Sequence, residues 1–348
     1  MKKIAFTGGG SAGHVVPNLA LMEGLDLGKI DVCYVGTDGI EKGLVAAQKI
    51  PYFEITCPKL IRGGGLKGLW KNLGIPFAFL RAVKQAERGL KIFQPDVVFS
   101  KGGYVSLPVV FAAKKLKIPC FTHESDYSLG LANKLAARKC ECVFTSFPET
   151  ANTLPNGKYA GALLRKSTLY ANRAEERKKR GISSSATVLL IFGGGSGSEC
   201  INAAIRKHAK TLTERYVVLH VCGNGKMVDS HLKNYFQYEF IADMGGAYAC
   251  ADLVISRAGA GAVFECLAHK KRAIFIPLEA ASRGDQKQNA EYFSKKGLCN
   301  LLPQSRLDEL PMEIEKTLLD ERLAKNLQAY SLIDGNENVL RTLRKYLL

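Results

Sequence analysis

Short runs of β-branched and aromatic residues alternate with longer stretches of helical period along the whole chain. The runs read as strands are Lys3–Thr7, Asp31–Val35, Tyr52–Ile55, Asp96–Ser100, Ile118–Thr122 and Cys142–Ser146. The second half repeats the scheme with Thr187–Phe192, Tyr216–Val221, Tyr235–Ile241, Leu253–Ser256, Ala273–Ile276 and Leu298–Leu301. Strands that are apolar nearly throughout are buried on both faces, and helices between them make parallel crossovers. The pattern predicts α/β architecture built twice, as two Rossmann-like domains with parallel sheets.

An internal echo marks the division. IAFTGGGSAG from Ile4 resembles VLLIFGGGSGS from Val188, each a strand running through Gly-Gly-Gly-Ser into a helix, and Gly8 and Gly193 are 185 positions apart. That offset is about one domain. Between them a charged helical run, Arg173 to Arg180, is followed by Gly181 and three serines, which places the boundary near Arg165. The expected domains are 1–164 and 165–335. A final helix, Glu337 to Leu348 within 336–348, is left by chain order to pack on either.

Composition then narrows the class. The 348 residues are 47% hydrophobic and 23% charged, as in globular proteins rather than disordered or collagen-like chains. The longest uncharged stretch, Gly181 to Ser198, is broken by Gly and Ser and does not reach the apolar length of a membrane span. The N-terminus enters a Gly-rich turn too early for a secretory signal, so a cytoplasmic protein is expected. The ten cysteines contain no Cys-x-x-Cys; reduced thiols are expected, with neither a disulfide framework nor a zinc site. The formal charge is +17, shared by both halves. It is densest in Pro58–Phe93, where Lys59, Arg62, Lys67, Lys71, Arg81, Lys84, Arg88 and Lys91 face one acid, Glu87. Such a patch suits anionic lipid, phosphate-bearing substrates or nucleic acid. The last is disfavoured, because interleaved aromatic and basic stacking motifs are lacking.

A Gly-rich strand-to-helix turn brings backbone N–H groups and a positive helix end to an anion, usually phosphate. Gly8, Gly10 and Gly13 also fit a dinucleotide fingerprint with Asp38 as the ribose acid, but His14 is a poor neighbour for a pyrophosphate, and a nicotinamide enzyme needs one such loop rather than two. Gly9, Ser11 and Gly13 spell the hydrolase elbow, yet only one strand precedes it, where that fold requires several. No Asp-x-Asp occurs, so a diphosphate is expected to be neutralised by amides, helix ends and Arg without a metal or other cofactor.

FTGGGSAGH with Pro17, SKGGYVS, HES with LANK, GGGSG, and SRAGAGAVFE leading to RGDQKQNA occur in order from about Lys3 to Asn289. Together these motifs resemble the MurG family of peripheral bacterial glycosyltransferases. The resemblance implies the GT-B fold, with two sheets facing across a cleft. It also implies an inverting transfer of N-acetylglucosamine from UDP-N-acetylglucosamine to the 4-hydroxyl of lipid-linked muramyl-pentapeptide, in peptidoglycan synthesis at the cytoplasmic face of the plasma membrane. Its partners would be the UDP-sugar, a polyprenyl-pyrophosphate acceptor and an anionic membrane surface. A UDP-N-acetylglucosamine 2-epimerase of the same shape is the alternative.

The site residues follow from that resemblance. An inverting transfer needs a base for the acceptor hydroxyl; His14 supplies it or grips the acceptor pyrophosphate, and Glu124, which directly follows the strand Ile118–Thr122, is the rival base. Gly10, Ser11 and Tyr104 are implied on the acceptor side. For the donor, the first half would contribute Ser11, Ala12, Gly13 and Asp126, and Arg165 would meet the diphosphate together with Gly195 and Ser196. Ile241 would read the uracil edge through its backbone. The turn and helix of Ala260, Gly261, Ala262, Val263, Phe264 and Glu265 would lie along the nucleotide, Glu265 at the ribose, while Gln286 and Asn289 meet the sugar hydroxyls. His208, His220, His231 and His269 lack a partner pattern and read as structural or exposed.

Departures from the family pattern are Ala12 for glycine, Asp126 where Asn is common, Gly195 for serine, and Ala162-Leu163-Leu164 before Arg165. Asp126 adds a negative charge that calls for a donor nearby. Finally, Leu66, Leu69, Trp70 and Leu73 fall at i, i+3, i+4 and i+7 beside Lys67 and Lys71, and Ile75, Phe77, Phe79 and Leu80 follow. This basic amphipathic element, interrupted by Gly74 and Pro76, is expected to lie on a membrane surface.

Overall fold

The computed structural model describes residues 1–59, 72–279 and 284–348. It contains two compact units, Met1–Arg165 with Ile333–Leu348, and Lys166–Leu332.

The first unit holds a seven-stranded sheet in the order β3-β2-β1-β4-β5-β6-β7. Its strands are β1 (Lys2–Thr7), β2 (Ile30–Gly36), β3 (Tyr52–Glu54), β4 (Val97–Ser100), β5 (Cys120–Glu124), β6 (Cys142–Thr145) and β7 (Gly157–Tyr159). All neighbours pair in parallel. Two differences from the sequence reading matter. The edge strand β7 has the sequence Gly-Lys-Tyr, with no apolar run to reveal it. The strand expected at Ile118–Thr122 starts two residues later, because Lys117 takes a left-handed turn (φ 58°) that keeps Ile118 out of the sheet, so His123 and Glu124 end the strand rather than follow it.

The helix Gly335–Leu347 completes this unit. Val339, Leu340, Leu343 and Leu347 join Ile4, Phe6, Leu19 and Phe99 in one apolar core. Its start is anchored by Asn336, whose Nδ2 donates to the carbonyls of Ala20 (3.1 Å) and Leu164 (2.8 Å) and whose Oδ1 accepts from the Leu164 N–H (3.0 Å).

The second unit holds a parallel six-stranded sheet, β10-β9-β8-β11-β12-β13. The strands are β8 (Val188–Phe192), β9 (Val217–Val221), β10 (Tyr235–Tyr238), β11 (Leu253–Ser256), β12 (Arg272–Phe275) and β13 (Asn300–Leu301). The helix Arg173–Lys179 is fastened to it by Arg177, 3% exposed, whose guanidinium donates to the carbonyls of Cys250, Ser184 and Ala186 and to Asp252 Oδ2 at 2.8 Å. Asp252 Oδ2 also accepts from the Val188 N–H at 2.8 Å, and its Oδ1 from Arg173.

Each sheet reverses its winding beside its first strand. In open parallel sheets a ligand crevice forms there, beyond the carboxyl ends of the two central strands. In the first unit those strands are β1 and β4, paired Thr7 to Ser100; in the second they are β8 and β11, paired Phe192 to Ser256. The four turns leaving them carry FTGGGSAGH, SKGGY, GGGSG and SRAGAG.

Candidate active site

In the first unit the turn after β1 lies against the turn after β4. Gly10 (φ +82°) and Gly103 (φ +81°) make that approach possible: a Cβ on Gly10 would stand 2.5 Å from the Tyr104 ring, and one on Gly103 2.5 Å from the Gly9 carbonyl and 3.0 Å from His14 Nδ1. His14 ends a short 3-10 turn, Ala12–His14, with Nδ1 3.0 Å from Ser11 Oγ. Burial and, second, the Lys101 cation push its pKa down to about 4, so at neutral pH the imidazole is uncharged and able to accept a proton. Ser11 and Gly13 are exposed around it and Ala12 half-buried.

The Gly10 amide, expected on the acceptor side, is already engaged. It donates to Glu41 Oε2 at 3.1 Å, and Glu41 Oε1 accepts from the Thr37 N–H (3.1 Å) and hydroxyl. Glu41 is fully buried, and no Lys or Arg among the described residues pairs with it. The turn is therefore organised round an internal carboxyl side chain that occupies the Gly10 amide. Glu41 is absent from the sequence reading; its only local signal is the four-residue spacing from Thr37.

Glu124, 5% exposed, has its oxygens occupied. Oε1 accepts from the Asp126 N–H (3.1 Å), and Oε2 from the Gly130 N–H (2.8 Å) and Asn133 Nδ2 (3.0 Å). HES and LANK thus form one network, in which Asn133 also donates to the His123 carbonyl (3.2 Å). A carboxylate so engaged ties its loop to the helix that bears Asn133. Lys101, 2% exposed, donates to the same His123 carbonyl at 3.4 Å; burial lowers its pKa, while Glu124 and Asp126 act in the opposite direction. Arg165 Nε donates to Glu23 Oε1 at 3.0 Å within this unit. Asp38 sits in an exposed pair with Lys42 at 2.9 Å.

In the second unit the turn after β8 packs on the end of β9: a Cβ on Gly197 (φ +72°) would lie 2.0 Å from the Cys222 carbonyl. Gly195 and Ser196 are exposed, and a Cβ on Gly195 would meet nothing, so packing does not demand glycine at that departure. The helix Glu199–Arg215 follows. Beyond β11, the helix Ala260–Ala268 presents exposed Gly261 and half-buried Ala262 at its start. Glu265 is half-buried, with Oε2 accepting from the Tyr248 hydroxyl at 2.9 Å.

Four expected donor residues turn inward, Ala260 among them at 6% exposure. Val263 and Phe264 are buried, Phe264 packing edge-on to Phe293 at 5.4 Å, and the Val263 N–H donates to the Gly259 carbonyl. Asn289 is fully buried and its Nδ2 donates to the Ala258 carbonyl at 3.2 Å, bracing the turn. Gln286 Oε1 accepts from the Leu278 N–H at 2.9 Å. Ile241, half-buried, falls after β10, which ends at Tyr238, in the otherwise exposed approach to the helix Met244–Cys250. His220 bridges Tyr235 and Asn202 in the core. All ten cysteines are free, and the described residues contain no cluster of three metal-ligating side chains.

Two parallel Rossmann-like units, each with glycine-rich turns at its switch point, define the GT-B class of fold. The sequence matches the glycosyltransferase family 28 N-terminal domain over residues 4–145 and the corresponding C-terminal domain over residues 188–338. The chain belongs to glycosyltransferase family 28. It is 44% identical over 314 residues to a protein of Lachnoclostridium phytofermentans, covering 88% of this chain and 87% of that one. It is 40% identical over 353 residues to one of Clostridium perfringens (strain SM101 / Type A), covering 99% and 98%. Both relatives are named UDP-N-acetylglucosamine--N-acetylmuramyl-(pentapeptide) pyrophosphoryl-undecaprenol N-acetylglucosamine transferase. The crystal structure of Acinetobacter baumannii MurG is similar with a TM-score of 0.75 and 26% identity, over 99% of this chain and 100% of that one. A UDP-GlcNAc 2-epimerase from Neisseria meningitidis, at 15% identity and a TM-score of 0.66 over 99% and 100%, shares the fold alone.

Proposed function

We propose that the chain transfers N-acetylglucosamine from UDP-N-acetylglucosamine to the 4-hydroxyl of polyprenyl-pyrophosphate-linked N-acetylmuramyl-pentapeptide. The observation that carries this reading is the uncharged His14 imidazole at the switch point of the first unit, in a chain whose near-full-length relatives bear that transferase name. The acceptor hydroxyl attacks the anomeric carbon and its proton passes to His14. The bond to UDP breaks with inversion, and the electron pair leaves on the diphosphate. That charge is received by the N-terminal ends of the helices Glu199–Arg215 and Ala260–Ala268 and by Arg165. Glu265 takes the ribose hydroxyls, and no metal is required. The test is UDP release with and without lipid-linked acceptor, in EDTA. Release that depends on acceptor and survives chelation is expected; acceptor-independent epimerisation, or loss on chelation restored by Mg²⁺, would overturn it.

The same reading extends to a membrane surface on the cytoplasmic side. Among the described residues no helix is long and apolar enough to cross a bilayer. Leu66, Lys67, Leu69, Trp70 and Lys71 lie outside the described residues. Just beyond them, Pro76 opens the helix Ile75–Phe93 rather than interrupting it. Phe79 turns inward, edge-on to Phe111 at 5.4 Å. Leu73, Phe77 and Leu80 stay outside at 61%, 79% and 59% exposure, and exposed Arg81, Lys84 and Arg88 continue the helix beyond them. An apolar end followed by basic residues fits a headgroup boundary. Each basic residue adds about 1 kcal/mol near an anionic surface, so Arg81→Glu with Lys84→Glu should weaken binding to anionic vesicles by more than about tenfold. UDP affinity should be unchanged. Vesicle co-sedimentation indifferent to both substitutions would remove this surface.

A further inference from the structure

Tyr248 is 1% exposed and belongs to the helix Met244–Cys250, whose approach contains Ile241. Its ring lies flat against His269 (centroids 4.8 Å apart, planes at 15°) and edge-on to Phe192 at 6.0 Å. Phe192 is the last residue of β8, next to the glycine turn, and His269 caps the helix that bears Glu265. From this clamp the phenol reaches Glu265 Oε2 at 2.9 Å.

We infer that Tyr248 is a positioning residue for nucleotide recognition: it holds the Glu265 carboxylate in the orientation that receives the vicinal hydroxyls of the donor ribose. This rests on the reading that Glu265 is the ribose contact. The chemistry favours a fixed partner. Glutamate has three rotatable bonds, and ordering a long side chain costs about 1–2 kcal/mol of rotamer entropy. A hydroxyl held by a clamped ring removes that freedom before ligand arrives. Burial raises the Tyr248 pKa well above the ordinary value, so the group stays a donor throughout the working pH range. A carboxylate has sites for about four hydrogen bonds, so one phenol on Oε2 leaves capacity for a diol. One short helix thereby ties together the backbone beside Ile241, the ribose carboxylate and the foot of the glycine turn.

The test compares UDP with UDP analogues lacking the 2′- or 3′-hydroxyl, by calorimetry on the full chain. Tyr248→Phe keeps the ring and its stacking. Losing one such hydrogen bond should weaken UDP about three- to tenfold, with little effect on the analogue that lacks the hydroxyl read by Glu265. In a Glu265→Gln background the Tyr248→Phe effect should shrink towards nothing. A loss equal for UDP and both analogues, or one that persists in the Gln background, would make Tyr248 merely structural and overturn the inference. So would full discrimination retained by Tyr248→Phe while Glu265→Gln loses it. Wild-type protein indifferent to both hydroxyls, with Glu265→Gln binding UDP normally, would instead take away the ribose reading itself. Should Tyr248→Phe not fold, His269→Ala, which loosens the clamp from its other side, must reduce discrimination in the same direction.

Discussion

His14→Ala should lower turnover about 10²–10⁴-fold, the usual cost of losing a general base, while UDP affinity in the second unit stays at the wild-type value. The reason is electrostatic as well as positional. With its pKa pushed down to about 4, His14 is unprotonated across the neutral range, and protonation becomes inhibitory only as the pH falls towards 4. The acid limb of kcat/KM should therefore lie well below the value near 6.5 that an ordinary imidazole would give. Glu124→Gln should act differently, because its three N–H donors serve to hold the loop to Gly130 and the helix bearing Asn133. If Glu124→Gln abolishes turnover with substrate binding intact, and His14→Ala stays near wild type, the base is Glu124.

The largest expected effect on stability lies far from the chemistry. Asp252→Ala should destabilise the second unit by about 3–5 kcal/mol, the range for breaking a buried ion pair by removing one partner. Arg177 would keep its carbonyl acceptors but lose its carboxylate, and the Val188 N–H at the start of β8 would lose its acceptor. Asp252→Asn, which preserves an oxygen, should cost less. The measurement is the unfolding transition of the second unit, followed by hydrogen exchange of β8 and β11, since a chain with two units need not unfold in one step. Protection of those strands within about 1 kcal/mol of wild type would contradict the assignment.

Much of this architecture is legible in the chain because central parallel strands are apolar on both faces. All twelve expected strands are present, and their ends drift by a few residues where turn chemistry, such as left-handed Lys117, outweighs hydrophobicity. β7 is invisible for the converse reason: an edge strand of Gly, Lys and Tyr needs pairing rather than burial. The motif turns were readable as well, since glycine is demanded where a turn closes on a neighbour, the Tyr104 ring at Gly10 and the Gly9 carbonyl at Gly103. What local spacing does not carry is which side chain occupies a neighbour's lone pairs. Glu41 reaches Gly10 across 31 residues, and Lys101 meets the HES segment only through the sheet. Conversely, Val263, Phe264 and Leu267 form an apolar stripe of helical period, a signal for core, and their side chains are buried.

The helix Gly335–Leu347 sets the order in which the protein can be assembled. The second unit is continuous from Lys166 to Leu332 and is free to fold as soon as it has been synthesised. The first unit, although begun earlier, lacks Val339, Leu340, Leu343 and Leu347 from its core until translation has passed the whole of the second. Contacts that close so long a stretch of chain form slowly. The older half of the nascent chain therefore completes its core only after the younger half has been synthesised.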